Sequence, residues 1–306
     1  GIVMAQAIAG VVAITVQYRR AIAPRLASLA LHYAVALVLL ATGALLGFLI
    51  SWSNAHGRSA LADGFYLAHT TTMLLGFVGT TVLGTLTVLW PTMLRTPMEP
   101  VAPRWTTRGL PYLVGGTALV AACGLWPPLA GLGTLVYLGG ACAVLVPAYR
   151  TARRVPPTSF ATASATASVA WFIGCVAVLG ARMALADDAA AAREVIHSLR
   201  LPLAAGFALQ ILVAALSYLT PVMLGGGPAA TRATNAIMDR FAAYRVTAAN
   251  ACLLLALYPG APWQVRVVAG ALAALVTSYL LAGMILSLRE LSQRKRTPRT
   301  PADATP

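Results

Sequence analysis

Apolar runs long enough to cross a bilayer recur from one end of this sequence to the other, and that recurrence limits the fold more than any other feature. A hydrocarbon core about 30 Å thick takes ~20 helical residues at ~1.5 Å each. Such segments read at roughly 2–16, 26–50, 64–93, 109–126, 129–149, 160–185, 196–224, 242–258 and 265–288. In lipid every backbone N–H and C=O must pair within its own segment, which selects helices. The expectation is an all-α polytopic transmembrane helical bundle of about nine spans. The first and eighth runs are short, and the eighth carries Arg245 and Asn250. With 59% hydrophobic and 10% charged residues, a soluble globular enzyme, a disordered chain and a disulfide-stapled secreted domain are excluded.

The charges agree with this reading. Lys plus Arg is 22 and Asp plus Glu is 8. The basic residues sit between apolar runs, where they act as topology signals and lipid-headgroup contacts, so no nucleic-acid partner is expected. Arg19, Arg20 and Arg25 follow the first run, and Arg95, Arg104 and Arg108 the third. Arg150, Arg153 and Arg154 follow the fifth, and Arg232, Arg240 and Arg245 the seventh. The tail carries Arg289, Arg294, Lys295, Arg296 and Arg299. The alternate loops are poorer in positive charge or balanced by Asp63, Asp187, Asp188 and Glu194. By the positive-inside rule the C-terminus is cytoplasmic, in a bacterial plasma membrane. Cys123, Cys142, Cys175 and Cys252 lie singly in apolar runs and read as small apolar residues.

The third and seventh runs share a pattern. GFVGTTVLGTLTVLWPTML starts at Gly76 and GFALQILVAALSYLTPVML at Gly206, so Pro91 matches Pro221 and Met93 matches Met223 at a spacing of 130 residues. Both copies run the same way, which predicts parallel four-helix repeats. Residues 1–20 then read as the last helix of an upstream repeat, 21–155 and 156–290 as two four-helix membrane repeats, and 291–306 as a disordered basic cytoplasmic tail. The upstream sequence that completes the first repeat is expected to lie outside this chain. Gly76, Thr80 and Gly84 form a small-residue face that either packs helices or makes room for a planar cofactor.

Polar side chains within a bilayer are the functional candidates. His69 lies below the outer end of the third run, His197 near the outer end of the seventh, His32 near the inner end of the second, and His56 in the first outer loop. Histidine ligates both haem and copper. Met73, one turn from His69, adds a thioether suited to Cu(I). The candidate cofactor-binding residues are His69, His197 and His32, and the candidate metal ligands His69, Met73 and His197. Each histidine also has a structural reading as a satisfied polar group. Gln210 is expected to face the bundle interior, and Trp52, Trp90, Trp126 and Trp263 to form aromatic belts. No carboxylate falls at mid-membrane depth in these runs, which disfavours a proton-coupled solute transporter.

The segments LGFVGTTVLGTLTVLWPTMLRT and GFALQILVAALSYLTPVMLGGGP resemble the membrane module of actinobacterial multicopper-oxidase-like membrane proteins, over roughly residues 25–290. The pattern of His, Leu-Leu-Gly-Phe and a Pro-ended span is more distantly haem-copper oxidase- and NnrS-like. The resemblance implies twelve spans in three groups of four and a redox- or copper-linked module near the outer face. It would bind haem or copper and pass electrons or copper to a partner, a soluble cupredoxin-type oxidase domain or subunit. The chain itself holds no His-x-His or His-Cys-His motif for laccase-type copper. A non-catalytic membrane anchor or assembly module and a small-solute transporter are the alternatives.

Overall fold

In the computed structural model residues 2–21 and 26–296 are described, and among them every regular element is helical. The helices are α1 (Ile2–Ala21), α2 (Ala27–Ala55), α3 (Ser59–Met93), α4 (Ala102–Ala121), α5 (Pro128–Arg154) and α6 (Phe160–Met183). They continue with α7 (Ala189–Leu224), α8 (Gly227–Met238), α9 (Ala242–Leu257), α10 (Trp263–Thr277) and α11 (Tyr279–Arg296).

Six stretches are long and apolar enough to cross a membrane: Ser28–Ala55, Ser59–Met93, Pro128–Arg154, Phe160–Met183, Ala189–Leu224 and Trp263–Arg294. They fit a multi-pass membrane protein. The expected count of about nine is not supported. The runs at 2–16, 109–126 and 242–258 fall on α1, α4 and α9, which are outside the six. At 16 residues α9 is about 24 Å long, short of the core thickness. Helix α4 carries Arg104 and Arg108 in its opening turns. Several α1 side chains, including Arg19 and Arg20, lie outside the described residues, as does Arg25. Helix α11 continues through Arg296, so the first part of the expected tail is helical; residues 297–306, Arg299 among them, lie outside the described set.

The chain divides into two compact units, Gly1–Pro156 with Ile173–Arg200 and Pro157–Phe172 with Leu201–Pro306. In the first unit α4 and α5 form a tight antiparallel hairpin. A Cβ at Gly109 would lie 2.7 Å from the Gly140 carbonyl oxygen, and one at Gly116 would lie 2.7 Å from that of Gly133. Glycine at both crossings lets the backbones meet, as small residues do between membrane helices. Leu67, Leu75, Leu83, Leu113, Val120 and Tyr137 fill the interior. Trp90 is buried, and its Nε1–H donates to the Ala148 carbonyl across 3.0 Å. Trp126 and Trp263 are exposed.

In the second unit Phe160, Val213 and Leu280 form a core, and the Phe172 and Phe207 rings lie 4.4 Å apart. Gln210 is buried. Its Nε2–H donates to Asn250 Oδ1 at 2.9 Å, and Trp171 Nε1–H donates to the same oxygen at 2.7 Å. After α7 the chain reverses through Gly225, Gly226 and Gly227, all at positive φ (65°, 88° and 86°), where a side chain would strain the backbone. All four cysteines are free. Cys123 and Cys175 are buried, whereas Cys142 is exposed.

Helices α3 and α7 each contain a π-helical segment, Thr72–Gly79 and Pro202–Leu209. Both are 8 residues long and start 130 residues apart, the spacing of the sequence repeat. A π segment displaces carbonyls from the i→i−4 ladder, and such bulges concentrate at functional sites. Here neighbouring helices supply donors: Tyr137 O–H to the Leu75 carbonyl at 3.1 Å, and Ser168 O–H to that of Phe207 at 2.9 Å.

Candidate functional site

The π segment of α3 opens one residue before Met73, and His69 lies one turn earlier, so both side chains approach α2. His69 Nδ1–H donates to the Gly43 carbonyl at 2.8 Å. A Cβ at Gly47 would lie 3.3 Å from the His69 ring, and one at Gly43 would collide with Met73 Sδ. Two glycines of α2, one turn apart, therefore seat an imidazole and a thioether that are one turn apart on α3. The pairing continues down the hairpin, where Gly84 of α3 receives His32 of α2, at 2.7 Å between a Cβ there and that of His32.

The Gly43 bond fixes the tautomer of His69. With Nδ1 protonated and held, Nε2 carries the free lone pair, which is the arrangement of a metal-binding histidine. Among the described residues Nε2 has no hydrogen-bond partner, and His69 and Met73 are both half-buried. An imidazole and a thioether suit Cu(I). A planar haem does not fit the small-residue faces. Gly76 is covered by Leu39 and Thr117, Gly84 by His32, and Gly206 by the Trp171 ring, each within 3.2 Å of where a Cβ would lie. These faces pack helices.

The other histidines are placed differently. His32 is fully buried, its Nδ1–H donates to the Ser28 carbonyl at 2.7 Å, and Nε2 is without a partner. His56 is exposed, bonded to the Trp52 carbonyl and packed on that ring at 4.5 Å. His197 joins a separate cluster on α7. Its ring stacks on Tyr66 at 5.8 Å, and Arg193 Nε–H donates to its Nε2 at 3.4 Å. Arg193 also pairs with Asp63 at 2.8 Å and lies 4.4 Å over the Tyr66 ring. The His197 Nε2 lone pair is thus spent on a guanidinium, whose charge repels a metal cation.

So the structure brings His69 and Met73 onto one seat, leaves His32 farther along the same hairpin, and sets His197 in an ion-pair cluster. Among the described residues no group of three His, Cys, Asp or Glu side chains converges on a metal-sized site. Sequence reasoning passed over Gly43 and Gly47, whose only signal was their four-residue spacing on α2. It also passed over Tyr66 and Arg193, which carry no motif. No family model, curated protein or solved structure matches this chain.

Proposed function

We propose that this chain is a redox- or copper-linked module of a bacterial plasma membrane, with a Cu(I) site at His69 and Met73 near the outer face. It would pass copper or electrons to a cupredoxin-type oxidase domain or subunit. One observation carries the reading: the imidazole and the thioether share the Gly43 seat, with the imidazole tautomer set by the Gly43 carbonyl. The bound ion would supply one-electron chemistry, while the chain orients Nε2 and limits water at a half-buried position.

The same reading takes α1, α4 and α9 as three further crossings. This gives nine spans, a cytoplasmic C-terminus and four-helix units at 21–155 and 156–290. The matched π segments in α3 and α7 support the repeat, and the Arg-rich loops support the orientation.

The test is a Cu(I) titration of the detergent-purified chain against a colorimetric chelator. One Cu(I) per chain is expected. Met73→Leu, which keeps the volume, and His69→Ala should each weaken binding at least about tenfold. Protein that fails to compete for Cu(I) would refute the site.

A second reading, a non-catalytic anchor or assembly module, is favoured by the covered glycines and by the Arg193–His197 contact. It expects no copper uptake and a stability loss in His69→Ala from the broken bond to Gly43.

A further inference from the structure

The arginine-rich end of the α4–α5 hairpin holds a second feature, independent of the copper reading. On α4, Trp105, Arg108 and Tyr112 follow one another at i, i+3 and i+7, which places them on one stripe. On α5, Gly139 and Ala143 lie one turn apart and are too small to cover that stripe. These five residues and Gly109 line a cavity of about 340 Å³. That volume reaches the ~300 Å³ of the smaller ligand clefts. A Cβ at Gly139 would meet nothing within 4 Å, so the cleft is open there. Nearby, the Gly109–Gly140 crossing holds the two backbones together and fixes the cleft's width.

Two cations stand at this cleft. Arg108 is exposed, lines it and makes no ion pair among the described residues. Arg150, also exposed, sets its guanidinium 5.5 Å from the centre of the Trp105 ring. The acidic residue of the preceding loop, Glu99, is instead engaged by Arg154. The cleft thus joins two guanidiniums, neither in an ion pair among the described residues, to an apolar slot edged by a tryptophan and a tyrosine. Its partner must carry an anion at one end and an apolar chain at the other, at the depth where aromatic belts lie.

We propose that this cleft is a binding site for an anionic phospholipid. The phosphate accepts hydrogen bonds from Arg108 and Arg150, and one acyl chain lies past Tyr112 over Gly139 and Ala143. A zwitterionic lipid brings its own ammonium to the guanidiniums and is disfavoured.

The experiment is native mass spectrometry of the full chain in neutral detergent, titrated with phosphatidylglycerol or phosphatidylcholine. Each arginine near an anionic headgroup contributes about fivefold, so a preference for phosphatidylglycerol of about tenfold or more is expected. Arg108→Ala with Arg150→Ala removes the preference. Arg104→Ala with Arg153→Ala, equally basic positions off the cleft, leaves it. Gly139→Leu fills the slot without touching the arginines, and it weakens phosphatidylglycerol several-fold. Inorganic phosphate does not displace the lipid. Equal binding of the two lipids, an equal loss in both arginine pairs, unchanged binding in Gly139→Leu, or displacement by inorganic phosphate would each overturn the proposal.

Discussion

At Gly43 the absence of a side chain does two things: it lets Met73 Sδ reach the α2 backbone, and it leaves a carbonyl open to His69. Gly43→Ala therefore separates packing from chemistry. The added methyl meets the flexible side chain of a methionine, so the overpacking cost in a thermal melt should lie at the low end of ~1–3 kcal/mol. The displaced thioether should weaken Cu(I) at least about tenfold in the chelator titration. His197→Ala should leave copper binding unchanged, because that ring's Nε2 already accepts from Arg193. Asp63→Asn removes the ion pair to Arg193, a half-exposed contact. It should cost ~0.2–1 kcal/mol, with the loss shrinking as salt is added.

At the scale of the helix, two adjacent glycines in α4 should respond with opposite signs. A Cβ at Gly115 meets nothing within 4 Å, whereas one at Gly116 lies 2.7 Å from both the Gly133 carbonyl oxygen and the Tyr137 Cα, which are backbone atoms that cannot move aside. Gly115→Ala should raise thermal stability by about 0.5–1 kcal/mol through helix propensity. Gly116→Ala should lower it by ~1–3 kcal/mol or more by forcing α4 and α5 apart. Helix identity was legible in the sequence because apolar run length alone decides it in a bilayer. Gly76 and Gly206, aligned by the shared sequence pattern, both fall in π segments, which begin 130 residues apart. The π geometry was not legible, because it depends on donors from other helices, Tyr137 and Ser168, whose approach no local pattern encodes. For the same reason His69 and Met73 stood out as a one-turn pair, while Gly43, which receives both, did not. His197 stood beside His69 as a candidate ligand, and only the placement of Arg193 and Tyr66 against it sets it apart.

At the scale of the molecule, the number of crossings turns on whether α4 spans the bilayer with α5. Length and hydropathy leave α4 out of the six long apolar stretches. Packing argues the other way. Gly109 lies against Gly140 and Gly116 against Gly133, so α4 runs antiparallel to α5 in backbone contact over about two turns. If α5 crosses, those α4 residues share its depth. At 20 residues α4 is ~30 Å long, enough for the core, with Arg104 and Arg108 left at its first turns to reach the headgroups. A crossing α4 puts the loop before it and the turn after it on opposite sides of the membrane. Single cysteines at Pro100 and Trp126, both exposed, in a background with Cys123, Cys142, Cys175 and Cys252 replaced by Ala, make this measurable. In intact cells a membrane-impermeant maleimide should label Trp126→Cys and spare Pro100→Cys until the membrane is opened. Labelling of both, or of neither, would place α4 on one surface and reduce the count of crossings. Labelling of Pro100→Cys alone would keep α4 as a crossing and invert the topology, setting the Arg-rich loops against the positive-inside bias.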